Sequence, residues 1–167
     1  PANFRGWKVV PIRQMPEREL HRRGLRTEVF FQNDAMAAAL AEGWVGAARG
    51  QHTYAVITVG TGIGSGVIIN GQPCQSGGAG SEFGHTLLDM RGLQKKPKKR
   101  AHFTAEGIAS GTALLRRAQK MGFKGTSVEA LVMEKKSKYN VLFDDMAWAL
   151  GALSYNLSIG FRPQAIY

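Results

Sequence analysis

Cysteine is nearly absent from this sequence: Cys74 is the only one in 167 residues. An internal disulfide is therefore impossible, and a zinc cage built from several thiolates is excluded. Also missing is any apolar run near the roughly 18 to 20 residues that a membrane-spanning helix needs. The N-terminal PANFRGWKVV has no signal-peptide pattern. These absences predict a cytoplasmic chain with no membrane partner. Acidic residues are scarce, 12 against 22 lysines and arginines, for a formal charge of +10. Five of the cations crowd into QKKPKKRAH, at Lys95, Lys96, Lys98, Lys99 and Arg100, and others are scattered, as at Arg22, Arg23, Arg116 and Arg117. No aromatic residue interleaves the cluster for base stacking. It reads as a solvated, mobile loop, with polynucleotide binding or nuclear targeting as the alternative.

What is present suits one globular core: 44% of the residues are hydrophobic. The opening is broken by Pro11 and Pro16, with a short helix expected through ERELHRRG. TEVFF reads as a β-branched and aromatic strand ending at Gln32. Asn33 and Asp34 stand where a helix N-cap belongs, ahead of the alanine-rich AMAAALAEGWVGAA, a helix expected over about 35–48. TYAVITV and SGVIIN read as strands, and Asn70-Gly71 as a two-residue hairpin leading to a third. SGGAGSEFGH is too rich in glycine for regular structure. Thr104 is placed to cap one helix through AEGIASGTALLRRAQK, and Thr126 with Glu129 forms a capping-box pattern before EALVMEKK. Asp144 and Asp145 are expected to open MAWALGALSYNLSIG, which Gly160 and Pro163 end, and QAIY reads as the first half of a strand. The order is α/β, with a boundary expected near residue 50. Residues 1–50 would be the end of a first α/β domain, and 51–167 a second. Trp44 and Trp148 are expected in the core, an interface being the alternative. A start at Pro1 and a stop inside a strand pattern suggest a piece of a longer protein.

GTGIGSG, residues 60–66, puts a glycine at every second position between two strands. A Walker loop needs Gly-Lys-Ser/Thr entering a helix, and a dinucleotide fingerprint also needs a helix after its glycines. Neither fits, because VIIN continues as a strand. What remains is a tight corner where missing side chains let an anion approach backbone N–H groups, with Thr61 adding a hydroxyl, or a glycine-rich hairpin without a ligand. Asp34, at a strand-to-helix junction, reads singly as a helix cap. Beside such a corner its carboxylate could instead take the proton of an attacking hydroxyl, as phosphoryl transfer to an alcohol requires. Glu82 and His85, three apart in SEFGH, suit a polyhydroxylated ligand or a metal, and in isolation could equally be ordinary surface residues.

FFQNDAMAAALAEGWVGAARG, YAVITVGTGIGSGVIINGQPCQSGGAGSEFGHT and AEGIASGTALL, in this order and spacing, resemble the ROK family (repressors, open reading frames, kinases) of bacterial sugar kinases and sugar-responsive regulators. The likeness runs from about residue 25 to 115 and is weaker in flanks such as RGWKVVPI and SIGFRPQAIY. It implies an actin-like ATPase fold related to ribonuclease H, here incomplete at both ends, with a sugar and ATP in the cleft between two domains. By position it implies Asp34 as catalytic base and Asn33 as a sugar contact. Gly60, Thr61, Gly62 and Gly64 would form the second phosphate loop, and Glu82, His85 and Glu106 would reach the sugar. It further implies a glucokinase-like hexose kinase using ATP and Mg2+, and a homodimer, dimers being common in such families.

The sequence departs from the family in four ways. The Cys-x-Cys-Gly-x-x-Gly-Cys cluster that usually binds structural zinc with the motif histidine is replaced by QKKPKKRAHFTAEG, so no structural zinc is expected, and the orientation of His85 has to come from elsewhere. Ser76 and Ser81 stand where the family has glycines. The loop is about one residue short, and the Asp-x-Gly-x-Thr first phosphate loop and the Gly-Gly adenosine segment are not in the sequence. The alternative reading is a sugar-sensing transcriptional regulator, the one case that calls for nucleic acid; a third is a catalytically dead protein used in assembly.

Overall fold

Two strands of alternating character organise the chain. In a computed structural model, which describes residues 10–75 and 80–167 except the side chains at 97 and 98, β1 (Tyr54–Val59) and β2 (Ile63–Ile69) pair antiparallel from Tyr54↔Ile68 to Val59↔Ile63. The short β3 (Gln72–Pro73) follows the Asn70-Gly71 turn, where both residues have positive φ, and pairs with β2. QAIY does form a strand, β4 (Ala165–Ile166), which lies parallel to β1 and completes the order β3-β2-β1-β4. Expectations that fall on residues 1–9 and 76–79, Ser76 among them, lie outside the described residues.

Contacts divide the chain after Asn33. The first unit holds α1 (Gln14–Arg22), the helix expected through ERELHRRG, with no buried residue. Glu17 accepts from Arg13 Nε at 3.0 Å and from the Val29 N–H at 3.2 Å, contacts that hold its carboxyl below the usual range. The expected strand TEVFF does not form among the described residues: no ladder there includes residues 27–31, and Phe30 and Phe31 are exposed. A strand needs a neighbour to take its N–H and C=O groups, and propensity alone supplies none.

In the second unit, period-two alternation sends Tyr54, Val56 and Ile68 to one face and Ala55, Ile63 and Val67 to the other. The first face packs on α2 (Asp34–Trp44) through Met36 and Ala39. α2 therefore groups with the sheet rather than with the residues before it. It ends before residue 48, giving way to turns up to Gly50. The second face packs on α4 (Ala105–Ala109) and on Ala149, Leu153 and Leu157 of α7 (Asn140–Phe161). Between β3 and α4, the lysine-rich stretch expected as a loop forms a helical turn, α3 (Pro97–Arg100).

Three helix boundaries differ from expectation. AEGIASGTALLRRAQK is two helices, because Ser110 takes an extended ψ of 155° and caps α5 (Gly111–Lys120) by accepting from Ala113 N–H. α6 (Val128–Met133) is capped by Ser127, one residue after the expected Thr126. α7 begins at Asn140, so Asp144 and Asp145 lie inside it. Its spacing buries one stripe and leaves Trp148 79% exposed, and Trp44 is equally exposed. Neither tryptophan is in the core as expected, since each lies off the buried stripe of its helix.

Candidate active site

The first residue of β2 is the hub of the site. Ile63 N–H donates to Glu106 Oε2 at 3.0 Å, tying the first turn of α4 to the end of the β1–β2 hairpin. A Cβ on Gly62 would come 2.5 Å from the same oxygen. The Ile63 carbonyl lies against Gly84, leaving no room for a side chain there. One residue thus joins the glycine corner, Glu106 and the loop that carries Glu82 and His85.

That loop is sutured to β2 by two serines. Ser65 faces the same side as Ile63 and Val67, and a buried hydroxyl on an apolar face needs a partner. Ser65 Oγ donates to the Ser81 carbonyl and accepts from Phe83 N–H at 3.0 Å, while Ser81 Oγ accepts from Val67 N–H at 3.2 Å and donates to the Cys74 carbonyl at 3.0 Å. Glu82 and His85 then flank Gly84 with exposed side chains, His85 Nε2 being 4.0 Å from Glu82 Oε2. Ser65 was not among the candidate residues, although the alternation that puts Ile63 and Val67 inside puts it there too.

The hairpin corner is shorter than GTGIGSG suggests. Only Gly60, Thr61 and Gly62 turn; Gly64 and Gly66 are paired strand residues opposite Thr58 and Val56. Both face α2. A Cβ on Gly64 would come 2.7 Å from Ala35 Cβ, and one on Gly66 2.5 Å from Ala39 Cβ. Close helix-on-strand packing therefore accounts for these two glycines. It also fixes Asp34, whose neighbour Ala35 sits over Gly64. Asp34 is the exposed first residue of α2, with Oδ1 accepting from Ala35 N–H at 2.8 Å. Asn33 ends the preceding unit, where its N–H donates to Gln32 Oε1 at 3.0 Å.

At the corner itself, Gly60 N–H donates to the Gly62 carbonyl at 3.0 Å, and Gly60 and Thr61 carbonyls accept from Gly111 and Thr112. Among the described residues no acceptor takes the amides of Thr61 and Gly62. A cavity of about 620 Å³ opens beside the corner, its lining combining Thr61, Thr112, Thr126 and Ser127 with apolar residues such as Leu114, Leu115, Val128 and Phe143. The helix starting at Gly111 adds the positive end of its dipole. Thr112 and Ser127 were not foreseen, and the break at Ser110 that presents Thr112 is what sequence periodicity hid.

The family model described as the ROK family matches residues 9–167. The chain belongs to the ROK family. It is 37% identical over 123 residues to the glucokinase of Thermotoga maritima, an alignment covering 73% of this chain and 36% of that protein. Its structure is similar to the ROK hexokinase of Thermus thermophilus, at TM-score 0.79 and 31% identity over 94% of this chain and 53% of the other. It is also similar to a ROK family glucokinase from Streptomyces griseus solved with glucose and AMPPNP, at TM-score 0.70 and 28% identity over 96% of this chain and 56% of the other. The architecture is the α/β fold of the actin-like ATPases. This ROK chain spans about a third of the length of the curated relatives it matches.

Ser81 takes a φ of +57°, a conformation that glycine adopts freely and other residues rarely do. Serine tolerates it because the two hydrogen bonds of its hydroxyl offset the strain. Ser81→Ala keeps the strain and loses both bonds, so a loss of about 2 kcal/mol is expected in chemical denaturation. Ser81→Gly removes the strain as well and should cost less. Two main-chain bonds and one threonine cap hold the stretch that follows the Glu82–His85 loop. Leu88 N–H donates to Phe103 O at 2.9 Å, Ala105 N–H to Thr86 O at 3.0 Å, and Thr104 Oγ1 accepts from Gly107 N–H at 3.0 Å.

Proposed function

We propose that this chain forms the sugar-facing and phosphate-facing part of an ATP-dependent hexose kinase acting on glucose or a near relative such as fructose, mannose or an N-acetylated amino sugar. The observation that carries the reading is the convergence on Ile63, which puts an amide-bare corner, Glu106 and the Glu82–His85 loop at one end of the sheet, with the helix that starts at Asp34 packed across it. Phosphoryl transfer needs little covalent help from the protein. It needs an in-line hydroxyl, a base for its proton and donors for the phosphate charge. Asp34, exposed and held at its helix start, takes the proton from the attacking sugar hydroxyl. Asn33, Glu82, His85 and Glu106 bind the other hydroxyls and fix which one attacks. The free amides of Thr61 and Gly62 approach the terminal phosphates of ATP, and the neighbouring cavity, mostly apolar with four hydroxyl-bearing residues, takes the rest of the nucleotide. Gly64 holds the corner against α2. Among the described residues no group of three His, Cys, Asp or Glu side chains gathers to hold a metal; Mg2+ would enter with the nucleotide.

A coupled assay of ADP release by the complete gene product on a panel of hexoses tests this. Sugar-dependent release with one preferred hexose is expected. Sugar binding with no release would replace the kinase by the sugar-sensing regulator.

A further inference from the structure

A second cavity, of about 650 Å³, lies behind α4, walled by α5, α7 and residues 88–103. Its lining carries four permanent cations, Arg91, Arg116, Arg117 and Lys120, against two carboxylates, Asp89 and Asp145, with His102 beside them. Both carboxylates are taken. Asp89 accepts from Arg91 Nε at 2.8 Å, and Asp145 pairs with Arg117. Arg116 has only the neutral Gly107 carbonyl, at 2.9 Å, and Lys120 has no carboxylate partner among the described residues. These cations already strain one another. Burial pushes the His102 imidazole below its ordinary pKa, with Arg116 and Lys120 adding to the effect, and burial together with Arg117 lowers Arg116. An anion is what such a pocket lacks. The exposed indole of Trp148 also lines it, a flat surface for a ring, together with apolar residues such as Leu88, Phe103 and Ile108.

We infer that this cavity is a second binding site for a small phosphorylated molecule, its phosphate held by Arg116 and Lys120 and its ring or carbon body laid on Trp148. Planar forked donors and a mobile ammonium together match a phosphate dianion, and the aromatic wall separates this class from inorganic anions. The site touches the sugar side through one contact. Arg116 grips the carbonyl of Gly107, the residue after Glu106. A ligand drawing Arg116 away would therefore act on α4, a consequence that rests on the kinase reading, whereas binding itself does not.

Phenyl phosphate, titrated into the complete gene product with tryptophan fluorescence as readout, tests the binding. Saturable quenching is expected, lost in Trp148→Phe, weakened tenfold or more in Lys120→Glu and in Arg116→Gln, and unchanged in Asp34→Asn. Inorganic phosphate should compete more weakly than phenyl phosphate. Lys120 is exposed, so Lys120→Glu tests the site without disturbing the core. No saturation by about 10 mM phenyl phosphate, quenching indifferent to both cation variants, or binding of an oligonucleotide but not of phenyl phosphate would each overturn the proposal.

Discussion

Asp34→Asn is expected to lower kcat by about 10²- to 10⁴-fold, the range a positioned general base contributes, while leaving sugar affinity within a few-fold of the wild type. The substitution is close to isosteric. The amide oxygen it introduces can still accept from the Ala35 N–H, as Asp34 Oδ1 does at 2.8 Å, so the start of α2 keeps its geometry. Asparagine caps helices about as well as aspartate, and the lost charge at a helix N-terminus is worth under about 1 kcal/mol at an exposed position. A thermal transition near that of the wild type is therefore part of the expectation. What asparagine cannot do is accept a proton from the attacking hydroxyl. Single-turnover and steady-state rates with the preferred hexose, alongside sugar binding by calorimetry, separate the two roles. Wild-type kcat in the variant would reduce Asp34 to a helix cap and leave the kinase reading without its base.

How much of this was legible depended on whether a feature is set locally or by a neighbour. The pairing of TYAVITV with GVII, the Asn70-Gly71 hairpin and the Thr104 cap each follow from a few adjacent residues, and each forms. TEVFF carries the same β-branched signal, yet a strand is a relation between two segments. The break at Ser110 hides in a continuous helical period because one hydroxyl decides it, by capping a new helix instead of facing solvent. Trp148 sits in an apolar sequence whose helix is buried on one stripe only, and hydrophobicity does not say which stripe. In the site, motif order pointed to Glu106 and the glycine corner, but that Glu106 bonds the Ile63 amide is a tertiary fact. The clearest case is the glycine run, where one repeating pattern serves two purposes that only the helix packed on the strand separates.

Those two purposes predict opposite behaviour for Gly66→Ala and Gly60→Ala. A Cβ on Gly66 would lie 2.5 Å from Ala39 Cβ, 2.8 Å from the Ala35 carbonyl and 3.2 Å from Met36 Cα, all in α2. Helix backbone cannot swing aside as a flexible side chain can, so α2 must lift from the sheet and loosen Met36, Ala39 and Tyr54, each at most 3% exposed. Overpacking of this kind costs about 1–3 kcal/mol, and Gly66→Val should cost more, a large share of the roughly 5–15 kcal/mol that holds a domain together. For a chain of this size that is a fall of roughly 2–4 °C in Tm per kcal/mol. Removing the opposing methyl should recover part of it. Ala39→Gly combined with Gly66→Ala is expected to be less unstable than the two single changes summed, by about 0.5–3 kcal/mol, since the residues touch. Recovery stays partial because the Ala35 carbonyl remains in the way and glycine weakens the helix. Gly60→Ala meets nothing within 4 Å, so Tm should hold. The added methyl stands at the corner that approaches the phosphates, and its expected effect is on the KM for ATP. Should Gly66→Ala melt with the wild type, or Gly60→Ala lose stability while keeping its nucleotide affinity, the division of the run into a packing half and a phosphate half would be wrong.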